Sequence, residues 1–167
     1  SHRGVDPRAV ARAASSNAEE GEAGQGGSTI TQQYVKTALL SPEKTLQRKL
    51  EEASMALSIE RNYSKELILE LYLNTIYFGD GAYGIDAAAR SYFGIPASEL
   101  DLAQSALLAG LIQAPSRYDP RRHPEAAFKR RNVVLARMLE LGDITQTQHD
   151  AALMTPVTLA PPQPLPE

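Results

Sequence analysis

Asp101-Leu102-Ala103-Gln104-Ser105-Ala106-Leu107-Leu108-Ala109-Gly110-Leu111-Ile112 is the stretch on which the fold turns. Ser98, Glu99 and Asp101 open it with capping chemistry, and Pro115 stops it. Between them the residues are apolar on every side of a helix, the pattern of a helix buried all round. This is the expected core helix. Toward the C-terminus, Pro124 at a helix start and Gly142 past its end bracket a helix over residues 125–141. Thr145, with Gln148 in the capping-box position, begins a short last helix. Five prolines from Pro156 to Pro166 then read as an extended, semi-rigid linker or tail over residues 155–167.

Toward the N-terminus, residues 85–92 read as a short helix, and Phe78-Gly79-Asp80-Gly81-Ala82-Tyr83-Gly84 as a glycine-punctuated turn. Ser64 caps a helix over residues 65–75. Leu46, Leu50, Ala53 and Leu57 fall at helical spacing in a segment expected to be helical from Ser41-Pro42 to Tyr63. Asp6-Pro7 starts a further helix ending near Asn17, and residues 19–27 are a loop of Glu, Gly, Ala and Gln. No alternating strand pattern and no internal repeat interrupts this series. The expected fold class is all-α.

The 167 residues (18.1 kDa) make one domain with enough sequence for a core. Hydrophobic residues at 43% and charged residues at 22% exclude wholesale disorder. Having no cysteine, the chain has no disulfide, thiolate zinc site or cysteine nucleophile. A formal net charge of -3 argues against nucleic acid as a ligand. No run approaches the roughly 18–20 apolar residues of a membrane span. The first residues have no apolar signal-peptide segment, so any anchor is expected upstream.

Lys44, Arg48 and Glu52 follow one another at four-residue intervals, which on a helix puts two cations and a carboxylate on one face. Lys49 flanks them, and Lys36 lies one loop upstream, where a glycine-rich segment feeds into helix. Such a group can hold a diphosphate, with the carboxylate binding a metal or acting on a proton. An exposed stripe with an ordinary Arg48–Glu52 pair is the alternative. Gly26-Gly27-Ser28-Thr29-Ile30-Thr31-Gln32-Gln33 suits hydrogen bonding to sugar or phosphate, or is simply a loop with a Ser/Thr helix cap. It lacks the Gly-Lys-Ser/Thr ending of a nucleotide P-loop.

Residues 117–137 carry seven cations against Asp119 and Glu125, a face for anionic lipid headgroups or phosphate, or only solvated charge. Tyr72, Tyr77, Phe78, Tyr83, Tyr92 and Phe93 read mostly as core, with an exposed subset suited to a membrane interface. His2, His123 and His149 lack metal-ligand spacing.

Taken together, these residues resemble the peptidoglycan glycosyltransferase domain (glycosyltransferase family 51) of class A penicillin-binding proteins and monofunctional transglycosylases. Residues 26–33 look like the family's second motif, and Arg48-Lys49-Leu50-Glu51-Glu52 like RKxxE. Residues 65–74, KELILELYLN, look like KxxILxxYLN, and Arg130-Arg131-Asn132-Val133-Val134-Leu135 like RRxxVL. Four ordered motifs over nearly the whole chain are far more specific than any one alone.

The resemblance implies a lysozyme-like helical domain over residues 1–154, at the outer face of the bacterial cytoplasmic membrane. Lipid II and the growing lipid-linked glycan would be its substrates. They would be joined through a β-1,4 bond with inversion and release of undecaprenyl diphosphate, assisted by magnesium or manganese on the diphosphate. It also implies that Glu52 is an essential carboxylate near that diphosphate. Lys36, Lys44, Arg48 and Lys49 would line the phosphate side, and Ser28, Thr29, Gln32 and Gln33 would contact sugar or phosphate oxygens. Asn74, Arg130 and Arg131 would organise the site.

The family's first motif, EDxxFxxHxG, is matched only by His2 and Gly4, which puts its catalytic glutamate before residue 1 and predicts an inactive fragment. A transpeptidase domain after the proline-rich tail is a further expectation. Two other readings stay open at this point: a lytic transglycosylase-like enzyme, which has no diphosphate to hold, and a non-catalytic module that binds lipid II or a partner protein.

Overall fold

The computed structural model describes residues 29–162. Within them the chain forms α1 (Ile30–Ala38), α2 (Leu46–Asn62), α3 (Lys65–Thr75), α4 (Ile85–Phe93), a 3-10 turn (Ala97–Glu99), α5 (Leu102–Leu111), α6 (Pro124–Glu140) and α7 (Gln146–Met154). Apart from one isolated antiparallel bridge between Tyr77 and Tyr83, the described residues contain no strand pairing. The all-α expectation holds. The segment expected to be helical near residues 6–17 and the glycines at 26 and 27 lie outside the described residues.

The core helix is α5. Asp101 caps it, accepting a hydrogen bond from the Gln104 amide at 2.7 Å while Gln104 reaches back to the Asp101 amide at 2.9 Å. From Ala103 to Leu111 every residue except Gln104 is buried. One side, Leu107, Leu108 and Leu111, packs with Tyr72, Ile76, Phe78 and Tyr92 from α3, α4 and the turn between them. The other, Ala106 and Ala109, meets Val134, Leu135 and Met138 of α6 and Ala152 of α7. Small residues on that side let α6 approach closely: a Cβ added to Gly110 would lie 2.9 Å from Arg130 Cγ. Each buried Leu contributes roughly 1.5–3 kcal/mol by leaving water, so α5 and its neighbours hold the domain together.

Thr145 and Gln148 form the expected capping box of α7, and Ser64 caps α3 through the Leu67 amide at 3.2 Å. The helix expected from Ser41 starts later. Thr45 is extended and its hydroxyl accepts from the Arg48 amide at 3.1 Å, so α2 begins at Leu46 and residues 41–44 are loop. Nor does the Leu46, Leu50, Leu57 stripe face the core. These side chains are 87%, 73% and 55% exposed, and the buried residues of α2 are Glu52 and Ala56.

After α7 the chain runs extended, as its prolines dictate, but it is not loose. Val157 and Leu159 pack on the α3–α5 core, and the Ala160 amide bonds to the Tyr92 carbonyl at 2.8 Å. As far as Ala160 the tail belongs to the domain's packing.

Candidate functional site

The cleft lies where α1 packs beside α2. Lys36, Glu43, Lys44, Thr45, Leu46, Arg48, Lys49 and Glu52 line a volume of about 360 Å³. All four cations assigned to the phosphate side, and the one assigned carboxylate, therefore meet in one place.

Glu52 is the centre of this group. Its side chain is 4% exposed and takes a hydrogen bond from Lys49 Nζ at 2.9 Å, the two being one turn apart. A carboxylate is retained at such depth only with a partner to offset its lost hydration. Lys49 is that partner, and the Arg48–Glu52 pair of the exposed-stripe alternative does not form: the Arg48 guanidinium turns back and donates to the carbonyls of Ser41 and Glu43. The reason is the late start of α2, which leaves those loop carbonyls without helical donors. Lys44 consequently is not on the helix stripe; it sits in a loop that Arg48 ties down and reaches the cleft from there. Lys36 stands in the last turn of α1, where a cation is favoured by the helix dipole.

The hydroxyl and carboxamide group divides. Thr29 and Gln32 cap α1 reciprocally, the Gln32 amide donating to Thr29 Oγ1 at 3.2 Å and the Thr29 amide to Gln32 Oε1 at 3.1 Å. Their polar atoms thus serve the helix end. Gln33 Oε1 accepts from the Tyr72 hydroxyl at 3.0 Å. Burial pushes the Tyr72 phenol up to about 12 from 10.0, so it remains a donor over the whole physiological range. Ser28 lies outside the described residues.

Asn74, Arg130 and Arg131 do not line the cleft. Asn74 is exposed near the end of α3, and its backbone meets Gly84, where a Cβ would come within 2.7 Å of the Asn74 carbonyl oxygen. Arg130 and Arg131 are on α6. Arg130 stacks 5.8 Å from the Tyr118 ring centroid, and Arg131 lies 5.3 Å from that of Phe128 while donating to Asn132 Oδ1 at 2.9 and 3.0 Å. Burial lowers the pKa of both guanidiniums below the ordinary arginine value. Arg130 thus joins α6 to the loop before it and packs beside Gly110 of α5, while the ring and hydrogen-bond contacts of Arg131 stay within α6. Other cations of residues 117–137 are also engaged: Arg121 pairs with Asp80, Arg122 with Asp119 and Arg137 with Glu140.

Thr45, Glu43 and Leu46 line the cleft without having been singled out, although a Thr three residues before Arg48 is a readable cap signal. Of the aromatics, Tyr72, Phe78, Tyr92 and Phe93 are buried, whereas Tyr77 and Tyr83 are exposed with ring centroids 4.8 Å apart.

A Transglycosylase family model matches residues 1–139. The chain belongs to the transglycosylase family. Penicillin-binding protein 1A of Aquifex aeolicus (strain VF5) is 53% identical to this transglycosylase domain over 158 residues, 95% of the chain and 22% of that protein. Penicillin-binding protein 1A of Escherichia coli (strain K12) is 52% identical over 89% of the chain and 18% of its own length, and penicillin-binding protein 1A/1B of Bacillus subtilis (strain 168) 48% over 90% and 17%. The crystal structure of penicillin-binding protein 1A from Haemophilus influenzae superposes with a TM-score of 0.56 at 44% identity, over 62% of the chain and 16% of that one. The transglycosylase domain thus spans about a fifth of the length of these relatives.

Proposed function

We propose that this transglycosylase domain is a peptidoglycan glycosyltransferase that extends glycan strands from lipid II and releases undecaprenyl diphosphate. The observation that carries the reading is the convergence of Lys36, Lys44, Arg48 and Lys49 around one buried carboxylate, Glu52, in a single cleft. Cations held in place where negative charge develops stabilise a departing diphosphate without reorganising at the moment of reaction. Glu52, fixed by Lys49, holds that lysine in register and keeps a carboxylate beside the leaving group. Arg48 acts on the loop, presenting Lys44, and Tyr72 holds Gln33 from behind.

A divalent cation fits this cleft only as an ion carried mainly by the substrate. Glu43 and Glu52 are the two carboxylates of the lining, and among the described residues no three His, Asp or Glu side chains converge. Bound there, the ion would neutralise charge on the diphosphate.

Leu46, which lines the cleft, and Leu50 and Leu57, exposed on the same helix, offer an apolar surface suited to a lipid-anchored substrate at the outer face of the cytoplasmic membrane. No helix among the described residues is long and apolar enough to cross a membrane. In the natural protein we expect a transpeptidase domain beyond the tail, in keeping with the length of the relatives.

The test is binding. The chain is titrated with detergent-solubilised lipid II and magnesium, and separately with a glycan strand lacking diphosphate. Lys36→Ala, Lys44→Ala should weaken lipid II binding at least about tenfold, since charge-assisted contacts are worth roughly 1.5–3 kcal/mol each, and leave glycan binding unchanged. Equal affinity of parent and variant for lipid II overturns the reading and favours a glycan-cutting enzyme.

A further inference from the structure

Arg121 stands apart from the cleft and ties together three segments that are distant in sequence. Its Nε pairs with Asp80 Oδ2 at 3.1 Å, one terminal nitrogen donates to the Ala160 carbonyl at 2.7 Å, and the other to the Ser91 carbonyl at 2.8 Å. The side chain is 16% exposed and lies 5.7 Å from the Tyr92 ring centroid. Its own amide is bonded to Asp119 Oδ1 at 2.8 Å, which fixes the direction from which the side chain leaves the backbone. A guanidinium satisfied on three sides by three segments holds all of them or none well.

What it holds matters at both ends. Ala160 closes the extended strap that Val157 and Leu159 seat on the core. Asp80 is the described non-glycine residue at positive φ, 51°, in the turn after α3. That conformation costs a residue with a Cβ about 1 kcal/mol or more, and it persists where surroundings over-determine it. Here Arg121 and the Ser91 hydroxyl, 2.7 Å from the same Oδ2, do so. The turn in turn closes through Gly84 on Ile76, with Gly84 packed directly on the Asn74 backbone.

We propose that Arg121 is a positioning residue that makes the geometry of residues 77–84, and through Gly84 that of Asn74, conditional on docking of the strap at residues 157–160. If the strap lifts, Arg121 loses the Ala160 carbonyl and the cover that keeps it dry. Its pairing with Asp80 is then screened by water, and the turn loses the contact that offsets its strained residue. The chain's exit thereby signals to the end of α3. That this end serves substrate binding rests on the function proposed above.

Amide hydrogen exchange separates the two statements. In the full chain, Leu159→Asp lifts the strap and Arg121→Gln removes the clamp; exchange is followed at Ala82 and Gly84, which donate within the turn, with Val134 and Leu135 of α6 as the control. Each substitution should speed exchange at the turn by about tenfold, with the control amides unmoved, and the double variant should be no faster than either single one. Arg121→Lys, which keeps the charge on Asp80 but loses the fork, should fall between parent and Arg121→Gln. Parental exchange at Gly84 in Leu159→Asp, or additive effects in the double variant, overturns the coupling. If Leu159→Asp also speeds the control amides, Arg121→Gln decides: faster exchange at both the turn and the Ala160 amide, which bonds to the Tyr92 carbonyl, supports the coupling, and parental exchange at either overturns it. Lipid II affinity, measured beside exchange, should fall severalfold in both single variants. A loosened turn with parental affinity overturns the link to the site, and a parent that fails to bind lipid II at all indicts the proposed function instead.

Discussion

Helices α2 and α5 invert one another. In α5, eight of ten residues are buried and none is charged; in α2, two of seventeen are buried, and one of those is Glu52. Leu107, Leu108 and Leu111 of α5 are buried, while Leu46, Leu50 and Leu57 of α2 point to solvent. Stability and the proposed chemistry thus fall to different helices. A helix that presents cations and a buried carboxylate to a charged ligand must leave that face uncovered, and the cost of the open cleft is offset by close packing elsewhere.

This division is open to being broken. Leu108, fully buried on α5, should cost about 3 kcal/mol when changed to Ala, the typical loss for a buried leucine, read as a lower midpoint in denaturant. A loss below about 1 kcal/mol would show that the core is not where the contacts place it.

Tyr72 straddles the two regions, with its ring in the core and its hydroxyl on Gln33 of α1. Tyr72→Phe should cost about 1 kcal/mol at neutral pH, the net worth of one hydrogen bond. The pH dependence sharpens this. The folded pKa, about 12, lies above the ordinary 10.0, so the stability linked to the protonated phenol is complete below pH 10 and is lost as pH rises through about 12. The advantage of parent over variant should therefore shrink across that window in urea midpoints; a constant difference would refute the burial of the hydroxyl. At the small end, Leu50→Ala should change stability by no more than about 0.5 kcal/mol, as expected of an exposed side chain. A loss comparable to that at Leu108 would erase the contrast between the helices.

Much of the fold was legible because capping and burial leave local marks. Ser64 with α3 and Thr145 with Gln148 read directly as helix starts, and an almost wholly apolar stretch has only one stable place, although its expected opening at Ser98 falls in the 3-10 turn and α5 begins at Leu102. The start of α2 was misjudged because Ser41-Pro42 and Thr45 are both plausible caps, and the choice falls to Arg48, whose side chain binds the loop carbonyls. The cleft was legible as a set of residue types. Which cation Glu52 takes as its partner was not, since (i, i+3) and (i, i+4) cations are equivalent until one is drawn elsewhere.

By itself the sequence determined an all-α fold, its core helix, its family motifs and five residues that share the cleft, Lys36, Lys44, Arg48, Lys49 and Glu52, because periodicity, caps and motif spacing are local properties of the chain. Only the tertiary structure decided that the leucines of α2 stay in solvent, that the Tyr72 hydroxyl takes Gln33, and that Arg121 joins Asp80, Ser91 and Ala160. Those outcomes depend on which neighbour arrives from far along the chain to compete for each group, and no local pattern encodes that competition.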